Sequence, residues 1–117
     1  MILADRVAFK AINDALGHHV GDQVIVDFAR LLRESVPPSA VVGRLGGEEF
    51  AIFLPETGIA SARLLAESLR AAFAARAVAG LPMHWRCTAS FGVAERNGDE
   101  SLSDLRRRAD AALYAAK

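Results

Sequence analysis

Residues 40–54, AVVGRLGGEEFAIFL, determine the architecture that this chain can adopt. Two runs rich in β-branched and aromatic residues flank Gly46-Gly47, and this arrangement predicts a β-hairpin with strands over residues 40–45 and 48–54. A tight turn needs positive φ angles, which glycine adopts without steric cost. We therefore expect Glu48 to leave the turn at the start of the second strand.

Hydrophobic spacing outside the hairpin predicts the other elements. A buried strand covers residues 1–4 and ends at Asp5, and an alternating strand covers residues 84–95. Helical spacing indicates four helices, over residues 9–16, over 22–35, over 58–76 and after a cap at Ser101. The order β-α-α-β-β-α-β-α predicts an α+β fold, in which helices lie mostly on one face of an antiparallel-rich central sheet. The side chains expected to face inward from the last three helices are Val24, Phe28, Leu31 and Leu32; Ala62, Leu65, Leu69, Ala72 and Phe73; and Leu102, Leu105, Ala109, Ala112 and Leu113.

The composition bounds the possible functions. The chain has 117 residues, and its 14 basic residues balance its 14 acidic residues, which argues against a face for long nucleic acid. Cys87 is the single cysteine, so no internal disulfide forms and a reducing, cytoplasmic location is expected. The sequence has neither an apolar run of membrane-spanning length nor a basic leader, so we expect no direct membrane contact.

Three groups of residues could carry chemistry. Asp5 and Glu48 would converge at one sheet edge if their strands are neighbours, and two carboxylates there would suit Mg²⁺; alternatively, both are solvated strand ends. Asn13 and Asp22 could read a purine edge, although Asp22 could instead be a helix N-cap. The arginines at 106–108 are interpreted as a solvated helix face.

Together these stretches resemble one family. FKAIND at residues 9–14, GH at 17–18, GD at 21–22, RLGGEEF at 44–50, TASFGVA at 88–94 and ADAALYAAK at 109–117 are similar to the successive signatures of GGDEF domains, in the family's order. The resemblance implies a fold related to nucleotidyl cyclases and polymerase palms. It also implies a nucleotidyltransferase, a diguanylate cyclase that condenses two GTP molecules into cyclic di-GMP and releases two pyrophosphates. A second GGDEF domain would supply the other half-site of a homodimer.

The resemblance also assigns roles to individual residues. Asp5, the Arg6 carbonyl and Glu48 would hold Mg²⁺ or Mn²⁺, and Glu49 lies in the catalytic signature. Arg44 and Asp110 are interpreted as structural. The remaining residues would bind substrate or product, with Asn13 and Asp22 on guanine and the others on phosphate: Phe9, Lys10, Gly46, Gly47 and Lys117.

The sequence departs from the family pattern in four places. Val7 stands where the family has a second aspartate, and residues 37–40, PPSA, stand where it has an inhibitory Arg-x-x-Asp motif. We therefore expect no feedback inhibition through that motif. The arginine that often follows Lys117 and the usual helix before the first strand are absent, so residues 1–117 are interpreted as a single domain truncated at both ends.

Val7 leaves two functions open. The first is an active cyclase, although the isolated fragment could be weakly active or inactive. The alternative is a degenerate module that binds GTP or cyclic di-GMP in the half-site and regulates a neighbouring domain.

Overall fold

The computed structural model describes residues 1–7, 14–46, 49–75 and 88–116. Its strands are β1 (Ile2–Val7), β2 (Val41–Gly46), β3 (Glu49–Phe53) and β4 (Thr88–Val93). Its helices are α1 (His18–Ser35), α2 (Ile59–Ala75) and α3 (Leu102–Ala116), and residues 14–16 are also helical. The rest of the predicted helix over residues 9–16 lies outside the described residues.

The four strands form one antiparallel sheet in the order β2-β3-β1-β4. Successive residues of β1 face opposite sides of this sheet. Ile2 and Ala4 pack into the larger core, which is built with residues of α1 and α2, whereas Leu3 packs with α3. Two helices therefore cover one face and one helix covers the other.

Phe28 lies at the centre of the larger core and is fully buried. Its ring packs on Phe73 of α2 at 4.5 Å between centroids and edge-on against Phe50 of β3 at 5.3 Å. These aromatic contacts anchor the start of β3 to both helices. The predicted stripe of α1 is confirmed in full, because Val24, Phe28, Leu31 and Leu32 are all buried.

Helix α3 packs unusually close to the sheet at Gly92 of β4. A Cβ built on Gly92 would overlap the Ala109 carbonyl oxygen and the Leu113 amide nitrogen, and would lie 2.7 Å from the Leu113 Cα. The stripe predicted for α3 is correct at Leu105, Ala109 and Leu113, which are buried. It is wrong at Leu102, the first residue of the helix, which is 59% exposed.

Several predicted boundaries are wrong. β1 does not end at Asp5: its pairing with β3 ends there, but its pairing with β4 continues to Val7. α1 begins at His18 and not at residue 22, after Gly17 with a φ of 90°, so Asp22 is not its N-cap. Ala72, which was expected to face inward from α2, is exposed.

Ser101 is confirmed as the cap of α3, because its Oγ accepts a hydrogen bond from the Asp104 N–H at 3.1 Å. Among the described residues, no helix combines the length and the apolar character that crossing a membrane requires.

Candidate active site

Asp5 and Glu49 are directly opposed across the antiparallel β1–β3 pair. Directly opposed residues project from the same face of a sheet. Two residues away on each strand, Leu3 and Ala51 are also opposed and both pack in the core under α3. The two carboxylates therefore leave the sheet on the α3 side.

The sequence paired Asp5 with Glu48, on the condition that their strands are neighbours. β1 and β3 are neighbours, but Glu48 lies outside the described residues. The residue that the register places opposite Asp5 is Glu49. The alternation of side chains along β3 could have predicted this, because Phe50 and Ile52 fill the larger core and Glu49 therefore projects from the other face of the sheet.

An open cleft of about 440 Å³ lies between these two central strands and α3. Asp5 and Glu49 line it from the sheet, and Asp110 and Tyr114 line it from the helix. Asp5 is half-buried, and the Glu49 side chain is 29% exposed. Asp110, which was interpreted as structural, thus lies on the wall of the cleft.

The three arginines of α3 have three different environments. Arg106 Nη2 lies 3.7 Å from Glu49 Oε1, whereas Arg107 forms a 3.4 Å pair with Asp104 on its own helix. Arg108 donates to Glu100 and to the Glu95 carbonyl oxygen. All three arginines are exposed, so the interpretation as a solvated face is confirmed. Arg106 and Arg108 also contact acidic side chains outside α3.

The contacts of Arg108 fasten the start of α3 to the loop after β4. The pKa of Glu100 is lowered to about 2, chiefly because the Arg108 guanidinium donates hydrogen bonds to its carboxylate. Partial desolvation opposes this shift, and a hydrogen bond from the Asn97 N–H adds to it. Glu100 is therefore a carboxylate throughout the physiological range. The loop and the helix that carries Arg106 are held together near the cleft.

Asp5 and Glu49 fit a hard divalent cation by their donor chemistry. Glu49 Oε1 is buried and accepts no hydrogen bond from any described residue, so one of its lone pairs is available to a ligand. The described residues contain no group of three or more histidine, cysteine, aspartate or glutamate side chains that could enclose a metal ion. Two carboxylates suit Mg²⁺, which usually keeps several waters and shares its shell with substrate phosphates.

The other predicted site residues fall into two sets. Arg6 continues β1 beyond Asp5, Gly46 ends β2, and Asp22 is exposed on α1 away from the cleft lining. Gly46 is paired with Glu49, its φ is not positive, and a Cβ there would meet nothing within 4 Å. The predicted turn is therefore wrong at Gly46, which belongs to β2, and Gly47 lies outside the described residues. The predicted site residues that lie outside the described residues are Phe9, Lys10, Asn13, Gly47, Glu48 and Lys117.

Comparison with known proteins identifies the class to which this fold and site belong. Residues 1–117 match the family described as "Diguanylate cyclase, GGDEF domain". The chain is 44% identical over 117 residues to diguanylate cyclase DgcM of Escherichia coli K12, covering 100% of this chain and 28% of that protein. The chain thus spans little more than a quarter of that relative's length.

Solved structures agree with this match. The chain is similar to the active GGEEF domain of a diguanylate cyclase from Vibrio cholerae, with a TM-score of 0.90, 37% identity, and coverage of 98% of this chain and 73% of that one. It is also similar to the GGDEF domain of DgcB from Caulobacter crescentus in complex with c-di-GMP, with a TM-score of 0.89, 35% identity, and coverage of 97% and 68%. This chain belongs to the GGDEF domain family of diguanylate cyclases, and the predicted family and α+β fold are confirmed.

Proposed function

We propose that this chain is one half-site of a diguanylate cyclase. It binds one GTP and, facing a second copy, condenses two GTP molecules into cyclic di-GMP with release of two pyrophosphates. The observation that carries the proposal is the register that sets Asp5 against Glu49 beside an open cleft. The family match and the related DgcB structure in complex with c-di-GMP support it.

The acidic residues form the proposed catalytic group. Asp5, Glu49 and Glu48, with the Arg6 carbonyl, would hold Mg²⁺ or Mn²⁺. When bound, this cation would lower the pKa of the attacking 3′-hydroxyl and neutralise charge on the phosphates. The fit rests on Glu49 Oε1, a buried oxygen to which no described residue donates a hydrogen bond.

The remaining residues would position the nucleotide. Asn13 and Asp22 are proposed to pair with the guanine edge, since an amide donates and accepts whereas a carboxylate accepts from N1–H and the exocyclic amine. Main-chain groups near Phe9 and Lys10 would hold phosphate.

Two glycines and a lysine are proposed to contact the rest of the triphosphate. Gly46 and Gly47 would let phosphate approach the hairpin, and Lys117 would contact the terminal phosphates. The space into which a Gly46 Cβ would project is open, which supports a close approach of a phosphate group to the main chain at Gly46.

Chemistry requires a second copy because cyclic di-GMP contains two equivalent phosphodiester bonds. Each GTP provides the 3′-hydroxyl that attacks the α-phosphorus of the other, so two half-sites must face each other. The protein contributes chiefly orientation of the two nucleotides and electrostatic stabilisation.

Feedback inhibition through an Arg-x-x-Asp motif is not part of this proposal. Residues 37–40, PPSA, form a turn closed by the Ala40 N–H and the Pro37 carbonyl oxygen at 3.0 Å. No side chain in this turn is charged. Product would instead bind in the GTP half-site and compete with substrate.

A second candidate function is a degenerate module that binds GTP or cyclic di-GMP and regulates a neighbouring domain. Val7 favours it, because the metal group then has one negative charge fewer than is usual in the family. The module would bind guanine nucleotide without turnover.

Product formation from GTP and Mg²⁺ tests the proposal. The chain is assayed alone and fused to a dimeric coiled coil, and cyclic di-GMP is quantified by chromatography and mass spectrometry. We expect product from the dimeric form and a loss of about 100-fold in Asp5→Asn and in Glu49→Gln, the scale seen when one electrostatic catalytic group is removed. Glu67→Gln, at an exposed α2 ion pair, is the charge-matched control and should retain activity.

A calorimetric titration separates the two candidate functions. Tight binding of cyclic di-GMP or GTP with no product, even from the dimeric fusion, would reject the cyclase and support the module.

A further inference from the structure

Among the described residues, one arginine of α3 forms an ion pair with Glu49. Arg106 Nη2 approaches Glu49 Oε1 to 3.7 Å, and the Arg106 side chain is 50% exposed. This distance exceeds that of a hydrogen bond, so the interaction is an electrostatic contact and not a bidentate clamp. Glu49 Oε1 is thus held near a positive charge without being saturated by it.

We propose that Arg106 is a positioning residue that sets the affinity of the Asp5–Glu49 site for its divalent cation. The inference rests on the proposed function, because it requires a cation at these carboxylates. In the cation-free chain, the guanidinium partly neutralises the Glu49 carboxylate, which is opposed to Asp5 across the β1–β3 pair. When a cation binds, the same guanidinium repels it, since arginine does not lose its proton in proteins.

The consequence is a cation site that is weak until nucleotide arrives. A triphosphate brings negative charge to the cleft, and this charge offsets the repulsion between Arg106 and the cation. Arg107 lines the cleft and adds to the positive potential there. Arg106 therefore couples the binding of the cation to the binding of the nucleotide.

A purely structural role for Arg106 would affect the stability of α3, but other groups hold this helix. Leu105, Ala109 and Leu113 are buried against the sheet, and Ser101 caps the first turn. Half-exposed ion pairs at such distances contribute little to stability. The melting temperature of Arg106→Gln should therefore equal that of wild type.

The test is Mn²⁺ binding to the nucleotide-free chain, measured by electron paramagnetic resonance of the free ion. Arg106→Gln should bind Mn²⁺ about fivefold more tightly than wild type, the scale of removing one charge from the vicinity of a divalent ion in a largely hydrated site. Arg106→Lys, which keeps the charge, should match wild type. Arg70→Gln, which removes an equal charge from the exposed α2 pair, should also match wild type.

Unchanged or weaker binding in Arg106→Gln relative to Arg70→Gln overturns the inference. A Lys variant that behaves like the Gln variant also overturns it, because charge would then not be the cause. Asp5→Asn separates this failure from that of the proposed function. If Mn²⁺ binding to wild type is absent or survives Asp5→Asn, the cation site fails, and the role of Arg106 fails with it.

Discussion

Replacing Gly92 with alanine should push α3 away from the sheet. The added Cβ would meet main-chain atoms of Ala109 and Leu113, and the Leu113 Cα would be only 2.7 Å away. Carbon atoms in contact lie about 3.5–4.0 Å apart, so the helix would have to retreat by about 1 Å. Main-chain atoms cannot rotate out of the way as a flexible side chain does, so the whole helix must move.

The expected loss in the free energy of unfolding follows from over-packed cores of other proteins, where an added methyl group that does not fit costs up to about 3 kcal/mol. The reduced freedom of the unfolded chain offsets about 0.5 kcal/mol of this. A net loss of about 2.5 kcal/mol corresponds to a melting temperature about 10 °C lower in a domain of this size.

Urea denaturation followed by circular dichroism measures this change, with Gly43→Ala as the matched control. Gly43 also lies in a strand, but a Cβ there would meet nothing within 4 Å, so the control should be as stable as wild type. A Gly92→Ala protein within about 0.5 kcal/mol of wild type would refute the close approach of α3, since shifts of that size are ordinary for surface substitutions.

Two further predictions concern the loop before α3. Ser101→Ala should lower the free energy of unfolding by about 1 kcal/mol because the Asp104 N–H loses its acceptor, and Ser101→Asn should retain most of it; equal stability of all three in urea would contradict the cap. The pKa of Glu100 is lowered from 4.5 to about 2 in the folded chain. Between these pH values the unfolded chain therefore binds more protons at Glu100 than the folded chain does. The stability that this carboxylate contributes is fully present above about pH 4.5 and is lost as the pH falls towards 2. Glu100→Gln should have a shallower dependence of unfolding free energy on pH in this window, measured by urea titrations at several pH values, and an unchanged slope would exclude the Arg108–Glu100 contact as its source.

The sequence predicted the helical stripes well because their period is local. Val24, Phe28, Leu31 and Leu32 are spaced so that a helix places them on one side, whatever packs there. Leu102 broke the pattern because a residue at the first turn can lie beyond the sheet that covers the rest of the stripe.

The start of α1 was misplaced for a different reason. The sequence pattern predicts that a helix over residues 9–16 ends before Gly17, and Asp22 is of a residue type that commonly caps the start of a helix. The structure begins α1 at His18, directly after Gly17 with its positive φ, and no side-chain cap is used. A glycine in this conformation separates two helical segments without indicating how soon the second begins.

The candidate site was predicted in composition but not in geometry. Residue types and order indicated the acids, yet the pairing of Asp5 with Glu49 depends on the register of two strands that are distant in the sequence. Arg106 could not be recognised at all, since three consecutive arginines on a helix are usually solvated and its contact with Glu49 exists only once α3 is docked.

The even-numbered and odd-numbered residues of β1 lie on opposite faces of the sheet and pack against different helices. Ile2 and Ala4 pack in the core that α1 and α2 cover, whereas Leu3 and Asp5 project from the face that α3 covers. Substitution of Ile2, Leu3 or Ala4 would therefore disturb one of the two cores, whereas substitution of Asp5 would remove a carboxylate from the cleft. Inserting a single residue into β1 would exchange the two sets. One inserted residue would thus disturb both cores and the cleft at once, so the length of this strand is constrained by all three.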